Sequence, residues 1–291
     1  MLKKMLIVAG AVLSLVVLLV LALPTIAHSL GIHPVYEDAR DYSLPGKRAL
    51  LITTSHGVLN APGETGGDPT GVMASEFTIA YYQFLDAGME VEISSIKGGQ
   101  IPIDPQTLNR VIRSPEDERF LQDSVAQAKA KNSLKIDDLD FTRYDVVWIA
   151  GGWGAAYDLG YSDVLGQKVS EAYYSEKETV FGSVCHGALG FIRARDRDGK
   201  LLIAGRKITG VSDKQVKELG IEVTPLHPET ELRKAGGIYS KQERFMDFFA
   251  TSTVVDDEKR FVSGQNQNSS HETAQNIMAI LDQRVKQGAQ R

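Results

Sequence analysis

Residues 180–192 read VFGSVCHGALGFI. Val180, Phe181 and Val184 form a short buried-strand pattern with a glycine inside it. Cys185 follows at once, then His186, Gly187 and the apolar residues Ala188, Leu189, Phe191 and Ile192, which suit a helix that starts without a loop. A strand running straight into a helix makes a sharp elbow and holds its corner residue out at the strand's carboxyl end, as in the Gly-x-Ser-x-Gly elbow of hydrolases. Cys185 is the only cysteine among 291 residues. A lone cysteine is most often a small buried hydrophobe. The elbow gives it a second reading, a nucleophile whose thiolate is favoured by the partial positive charge of a helix N-terminus. That reading predicts a thiol pKa below ~8.5, the free value.

The sequence around the elbow alternates strand and helix patterns. RALLITT (48–54), MEVEISSI (89–96), YDVVWIAGG (144–152) and TVFGSV (179–184) read as strands. SEFTIAYYQFLDAG (75–88), SPEDERFLQDSVAQAKA (114–130), SDVLGQKVSEAYYSE (162–176) and SSHETAQNIMAILDQRVK (269–286) read as helices. Ser114 with Pro115 and early acids is a helix start, and Ser269 or Ser270 caps the last helix. Residues 252–264 read as a late hairpin or an adjacent strand pair. Such alternation predicts an α/β fold, a doubly wound and mainly parallel sheet with helices on both faces. In such sheets the active site lies past the carboxyl ends of the strands, where the elbow points. Residues 47–291 suffice for one domain of this kind.

Net charge is −5, so there is no basic footprint for nucleic acid. No internal repeat and no metal motif of the Cys-x-x-Cys or His-Glu-x-x-His type occur. The N-terminus differs from the rest. Lys3 and Lys4 precede MLIVAGAVLSLVVLLVLAL (5–23), which carries no charge. Nineteen apolar residues are enough for a membrane-spanning helix and long for the core of a cleaved signal, ~7–15 residues. Residues 1–30 are therefore expected to be a transmembrane anchor or a signal peptide. Length favours the anchor, and Thr25 and Ala27 offer a weak cleavage site. Lysines before the span and Glu37, Asp38 and Asp41 after it place the body outside the cytoplasm, periplasmic or extracellular. Cleavage near Ala27 would instead release a secreted form. Residues 31–46, with Pro34, Pro45 and Gly46, read as a linker. Oligomeric state is left open, a homodimer being one option.

Several residues converge on the elbow. The strand at 144–152 ends in Gly151 and Gly152, whose backbone N–H groups can stabilise an oxyanion. Glu76 sits early on the helix that follows the first strand, at the same sheet edge. On these residues, with YYQFLDAGMEVEISSIKGGQIPIDP (81–105), AGGWGAAYDLG (150–160), SVCHGALG (183–190), GRKITGVSDKQ (205–215) and FVSGQNQNSS (261–270), the chain resembles the ThiJ/PfpI superfamily. That superfamily has a class I glutamine-amidotransferase-like, flavodoxin-type fold. Within it the chain is similar to the glutathione-independent glyoxalases and heat-shock chaperones, over about residues 48–282. The resemblance implies that Cys185 is the nucleophile, His186 its neighbouring histidine and Glu76 the carboxylate sharing a proton with it. It also implies that Asp213 can orient His186, although Asp213 reads equally as a helix N-cap. Two positions depart from the family pattern. Trp153 stands where histidine is usual and alters the substrate wall, and Ala188 stands where proline is usual. The glycine-rich segment 55–71 can serve as a lid, with His56 a loop residue. LHPETEL (226–232) contains a His-Pro-Glu sequence similar to part of the amidotransferase triad, but it reads as the start of a short helix, with His227 outside the site.

The resemblance implies a glyoxalase III-type lyase of the D-lactate dehydratase class that turns 2-oxoaldehydes such as methylglyoxal into 2-hydroxy acids through a Cys185 hemithioacetal, its oxyanion set against the Gly151, Gly152 and His186 backbone N–H groups and its proton moved by His186 or Glu76. It would use no glutathione, metal or redox cofactor. A carboxylate beside a thiolate raises both pKa values, so Glu76 must hold a proton. Rival readings are an amidase or peptidase with the same nucleophile, a non-enzymatic holdase chaperone, and a thiol stress sensor oxidised at Cys185.

Overall fold

The computed structural model describes residues 2–288. Met1, residues 289–291 and the side chains of Leu2 and Lys3 lie outside the described part. Seven strands form the central sheet: β1 (Arg48–Thr53), β2 (Glu90–Ser95), β3 (Leu134–Lys135), β4 (Val146–Ile149), β5 (Val180–Val184), β6 (Thr253–Val255) and β7 (Phe261–Gly264). Their order is β6-β7-β5-β4-β1-β2-β3. Every pairing is parallel except that of β6 with β7. This is the expected doubly wound sheet of a flavodoxin-like fold. The strand pair expected within 252–264 is antiparallel.

Strands buried on both faces read as continuous apolar runs, and β1, β4 and β5 do so. One face carries Leu51, Phe77, Phe84, Trp148, Val184 and Ile277; the other carries Leu50, Ile52, Val147, Phe181, Leu189 and Phe261. Helices α1 (Leu2–Ser29) and α6 (Asp213–Glu218) lie outside these layers; those that supply the layers are α2 (Ala74–Asp86), α3 (Pro115–Gln122), α4 (Ser124–Lys131), α5 (Asp163–Tyr173), α7 (Pro228–Lys234) and α8 (Ser270–Gly288). Helix α2 packs against α8 on the first face.

The helix expected over 114–130 is two helices. Asp123 adopts an extended conformation, and its carboxylate accepts from Val125 N (3.0 Å) and Ala126 N (3.0 Å), so it caps α4 instead of continuing α3. Asp123→Ala should lower stability by about 1 kcal/mol, the usual worth of such a cap. A denaturant midpoint shifted without change of slope checks this.

Helix α1 is apolar and exposed: Lys4–Ser29 is long and apolar enough to cross a membrane, by length and composition. The segment after it, expected as a linker, lacks regular structure but is not free. His33 N donates to Asn268 Oδ1 (2.9 Å) and Arg40 N to Gln275 Oε1 (3.0 Å), and Leu44 is buried.

Candidate functional site

The elbow exists, but in a different form from the one expected. Strand β5 ends at Val184 and runs directly into a 3-10 helix, Cys185–Phe191, not an α-helix. Cys185 takes the turn with φ 57. A non-glycine residue with positive φ is uncommon and costs about 1–3 kcal/mol, so surrounding structure must impose it. The glycines after it supply the room. A Cβ on Gly187 would stand 2.1 Å from Ile149 O, so the elbow can press against β4 only with glycine there.

Three side chains of the expected set meet at this point. Cys185 Sγ lies 3.4 Å from His186 Nδ1. Glu76, 1% exposed, hydrogen-bonds the same sulfur. Its carboxylate Oε2 accepts from Gly151 N at 2.9 Å, and its carbonyl accepts from Trp148 Nε1 at 3.0 Å. Helix α2 is thereby pinned over the ends of β4 and β5.

The electrostatics follow from burial. Glu76 is pushed up to about 8, chiefly by desolvation, with the bonds to Cys185 and Gly151 acting against it. At neutral pH it therefore holds a proton, as the pairing with a thiol requires. Gly151 N–H occupies Oε2, so the proton belongs on Oε1, the other oxygen. The expected lowering of the Cys185 pKa is not found. Burial pushes the thiol up and a charge on Glu76 pushes it further, while the Gly152 and His186 backbone N–H groups favour the thiolate. The physical reason is that a seven-residue 3-10 helix offers little aligned dipole to offset the desolvation of a buried sulfur. His186 is fully buried and pulled down to about 3, by desolvation first and His227 second. It is a neutral imidazole and a weak base.

Two further expectations need correction. Gly151 was expected to donate to an oxyanion, but its N–H is engaged by Glu76. The N–H groups directed at the sulfur are those of Gly152 and His186. Asp213 was expected either to orient His186 or to cap a helix. It does neither: Ser212 caps α6 through Gln215 N, and Asp213 Oδ2 accepts from Thr230 Oγ1 at 2.6 Å. Among the described residues, Asp213 Oδ1 and His186 Nε2 have no hydrogen-bond partner. Trp153 is in the site, its ring edge-on to His186 with centroids 5.3 Å apart. His56 is outside it, stacked on Tyr157 at 4.1 Å, and His227 precedes the short helix α7 as expected.

Cys185, Glu76, Gly152 and Trp153 line a small cavity of about 30 Å³ together with Met73, Thr107, Gln215, Leu219, Phe248 and Gln267. Sequence reasoning missed these additional wall residues. Gln215 and Gln267 fall inside noted motifs, but Thr107, Leu219 and Phe248 carry no local signal, since only the fold brings them to the sulfur. Among the described residues no cluster suited to a metal occurs.

The burial of Glu76 gives a pH prediction. An unfolded glutamate releases its proton near 4.5, the folded one near 8. Between these values the native state binds more protons than the unfolded chain, so this stability is present below 4.5 and is lost as pH rises through 8. Wild type should therefore lose more than about 1 kcal/mol relative to Glu76→Gln between pH 5 and 8. His186 works in the opposite sense over about 3 to 6.5, but both proteins contain it. Chemical denaturation at each pH checks the difference.

Residues 69–279 match the DJ-1/PfpI family. Glyoxalase 3 of Candida albicans is 30% identical over 245 residues, covering 81% of this chain and 98% of that protein. The glutathione-independent glyoxalase hsp3101 of Schizosaccharomyces pombe is 26% identical, covering 80% and 95%. Among solved structures, the rapid encystment protein of Francisella tularensis superposes with a TM-score of 0.72 at 30% identity, covering 80% of this chain and 98% of that one. The glyoxalase III structure from Candida albicans gives 0.70 at 27%, covering 80% and 96%. With the elbow cysteine, the buried glutamate and the sheet order in place, these likenesses run through the whole α/β body, and the chain belongs to the DJ-1/PfpI family.

Proposed function

We propose that this protein is a glutathione-independent glyoxalase III-type enzyme of the lyase class, converting 2-oxoaldehydes such as methylglyoxal into 2-hydroxy acids. The observation that carries the reading is a protonated, buried Glu76 beside the Cys185 sulfur, together with relatives named for this activity. The Cys185 sulfur adds to the aldehyde carbon, and its proton passes to the oxygen to give a hemithioacetal. Gly152 and His186 N–H groups stabilise the oxygen while it carries charge. Glu76 gives its proton to the ketone oxygen and, now a carboxylate, takes the proton of the former aldehyde carbon to leave an enediol; it then delivers that proton to the neighbouring carbon and recovers one from the remaining hydroxyl, which leaves a 2-hydroxy thioester. Glu76 is the group to move these protons, because a pKa near 8 suits transfer at neutral pH, whereas the depressed pKa of His186 does not. Water cleaves the thioester, releasing the 2-hydroxy acid and restoring the thiol. The net change is addition of one water, with no redox partner.

Half-buried Trp153, Leu219 and Phe248 are the apolar wall residues that a bound 2-oxoaldehyde would meet. Product analysis with methylglyoxal in the absence of glutathione tests the reading: lactate should form in step with loss of aldehyde. Amide or peptide hydrolysis with no lactate would assign the site to hydrolase chemistry instead.

We also propose that α1 anchors the protein in a membrane with the α/β domain outside the cytoplasm, from the uncharged span behind Lys4 and the acids that follow it. A C-terminal reporter should be active only outside the cytoplasm. Activity inside reverses the topology, and a soluble form starting near His28 identifies a cleaved signal.

A further inference from the structure

The segment between the apolar helix and the domain is bonded to residues that adjoin the wall of the candidate site. His33 is left-handed, with φ 48. A histidine held there needs its neighbours to impose the conformation, and two bonds do so. Its backbone N donates to Asn268 Oδ1 at 2.9 Å, and its ring Nε2 lies 2.9 Å from the Ile112 carbonyl. A carbonyl only accepts, so Nε2 carries the hydrogen and donates. Burial pulls the ring down to about 4, so it is neutral at ordinary pH.

Each of these two partners is joined to a different segment of the cavity wall. Asn268 adjoins Gln267, a wall residue. Asn268 Nδ2 and Gln267 Nε2 both donate to the carbonyl of Phe248, another wall residue, at 3.0 and 3.1 Å. In the second segment, Ile112 ends a series of turns that begins at Asp104 and Thr107, both in the wall. Thr107 N bonds Asp104 O, Asn109 N bonds Gln106 O, and Ile112 N bonds Asn109 O. The same series reaches the catalytic helix, because Thr107 Oγ1 accepts from Ala74 N at 3.1 Å.

We infer that His33 is a positioning residue that ties the Asp104–Ile112 segment to the Phe248–Asn268 segment and so holds the narrow cavity over Cys185. The segment next to the apolar helix is on this reading part of the site's architecture. The role rests on the glyoxalase reading only for its kinetic consequence, because access to the sulfur can be measured without turnover.

The test uses the full-length protein and three variants. His33→Asn tolerates the left-handed backbone and keeps the N–H to Asn268, but its side chain is too short to reach Ile112. His33→Gly also keeps the backbone bond, relieves the strain and removes the ring. His33→Gln restores a long N–H donor. The expected result is that Asn and Gly raise KM for methylglyoxal by about 10-fold with kcat within about 3-fold. They should also speed labelling of Cys185 by a bulky maleimide more than by iodoacetamide, and Gln should recover wild-type behaviour in part. Unchanged maleimide selectivity in folded Asn and Gly variants overturns the inference. Failure of both to fold overturns it too, since His33 would then be a structural residue. If no variant and not even wild type turns over methylglyoxal, the glyoxalase reading falls while the labelling arm still decides the role of His33.

Discussion

Glu76→Gln should lower methylglyoxal turnover by about 10²-fold or more, the usual worth of a positioned acid–base group, while making Cys185 easier to ionise. The two effects have opposite signs, which makes the variant informative. The amide keeps the shape of the side chain and can rotate its oxygen toward Gly151 N, so the bond that pins α2 to β4 survives. It cannot give up a proton at neutral pH, so transfer between the two substrate carbons stops. In wild type, charge on Glu76 and its bond to the sulfur both raise the thiol pKa. The amide removes the charge, and the thiol no longer titrates as half of a coupled pair. Iodoacetamide labelling against pH should therefore move to lower pH in the variant even as turnover collapses. Cys185→Ala should abolish both. A Glu76→Gln protein with full turnover would return the proton transfer to His186, despite its depressed basicity. One with unshifted thiol reactivity would mean that Glu76 and Cys185 do not interact in solution.

Gly152→Ala should destabilise the domain by about 3 kcal/mol or more, beyond the usual range for a single substitution away from a core. Gly152 has φ 92, and a Cβ there would lie 2.3 Å from Met73 N and 2.4 Å from Gly71 O. Those are backbone atoms of the segment that leads into α2, and they cannot step aside without moving Glu76. Gly199 separates strain from crowding: its φ is 82, but nothing lies within 4 Å of the added Cβ. Gly199→Ala should cost only the left-handed penalty, about 1–2 kcal/mol. Thermal or urea unfolding of the two variants measures the difference. Equal losses would mean that α2 withdraws freely from the Gly152 backbone and that the close approach is not required by the fold.

The α/β class and the elbow were legible in the sequence because both rest on local pattern. The apolar runs of β1, β4 and β5 declare strands buried on both faces, and Cys185 between a strand pattern and small residues declares a sharp turn. The family followed from motifs, Glu76 among them, and the uncharged span at the N-terminus declared itself by composition alone. Helix division at Asp123 was not legible, because Asp caps as well as it continues a surface helix and only its bonds to Val125 and Ala126 decide. The proton on Glu76 was legible from its pairing with a thiol, but the upward shift of Cys185 was not. The sequence puts a glutamate and a cysteine at one sheet edge; their pKa values depend on how completely water is excluded, and that exclusion comes from residues scattered from Met73 to Gln267. The partner of Gly151 N–H, the distance of Asp213 from any bond to His186, and the fixing of His33 to two segments of the cavity wall are likewise matters of a few ångströms between segments far apart in the chain. Residue type and spacing set which groups can react, while packing set which of them carry a proton, which N–H groups remain free, and how much room is left beside the sulfur.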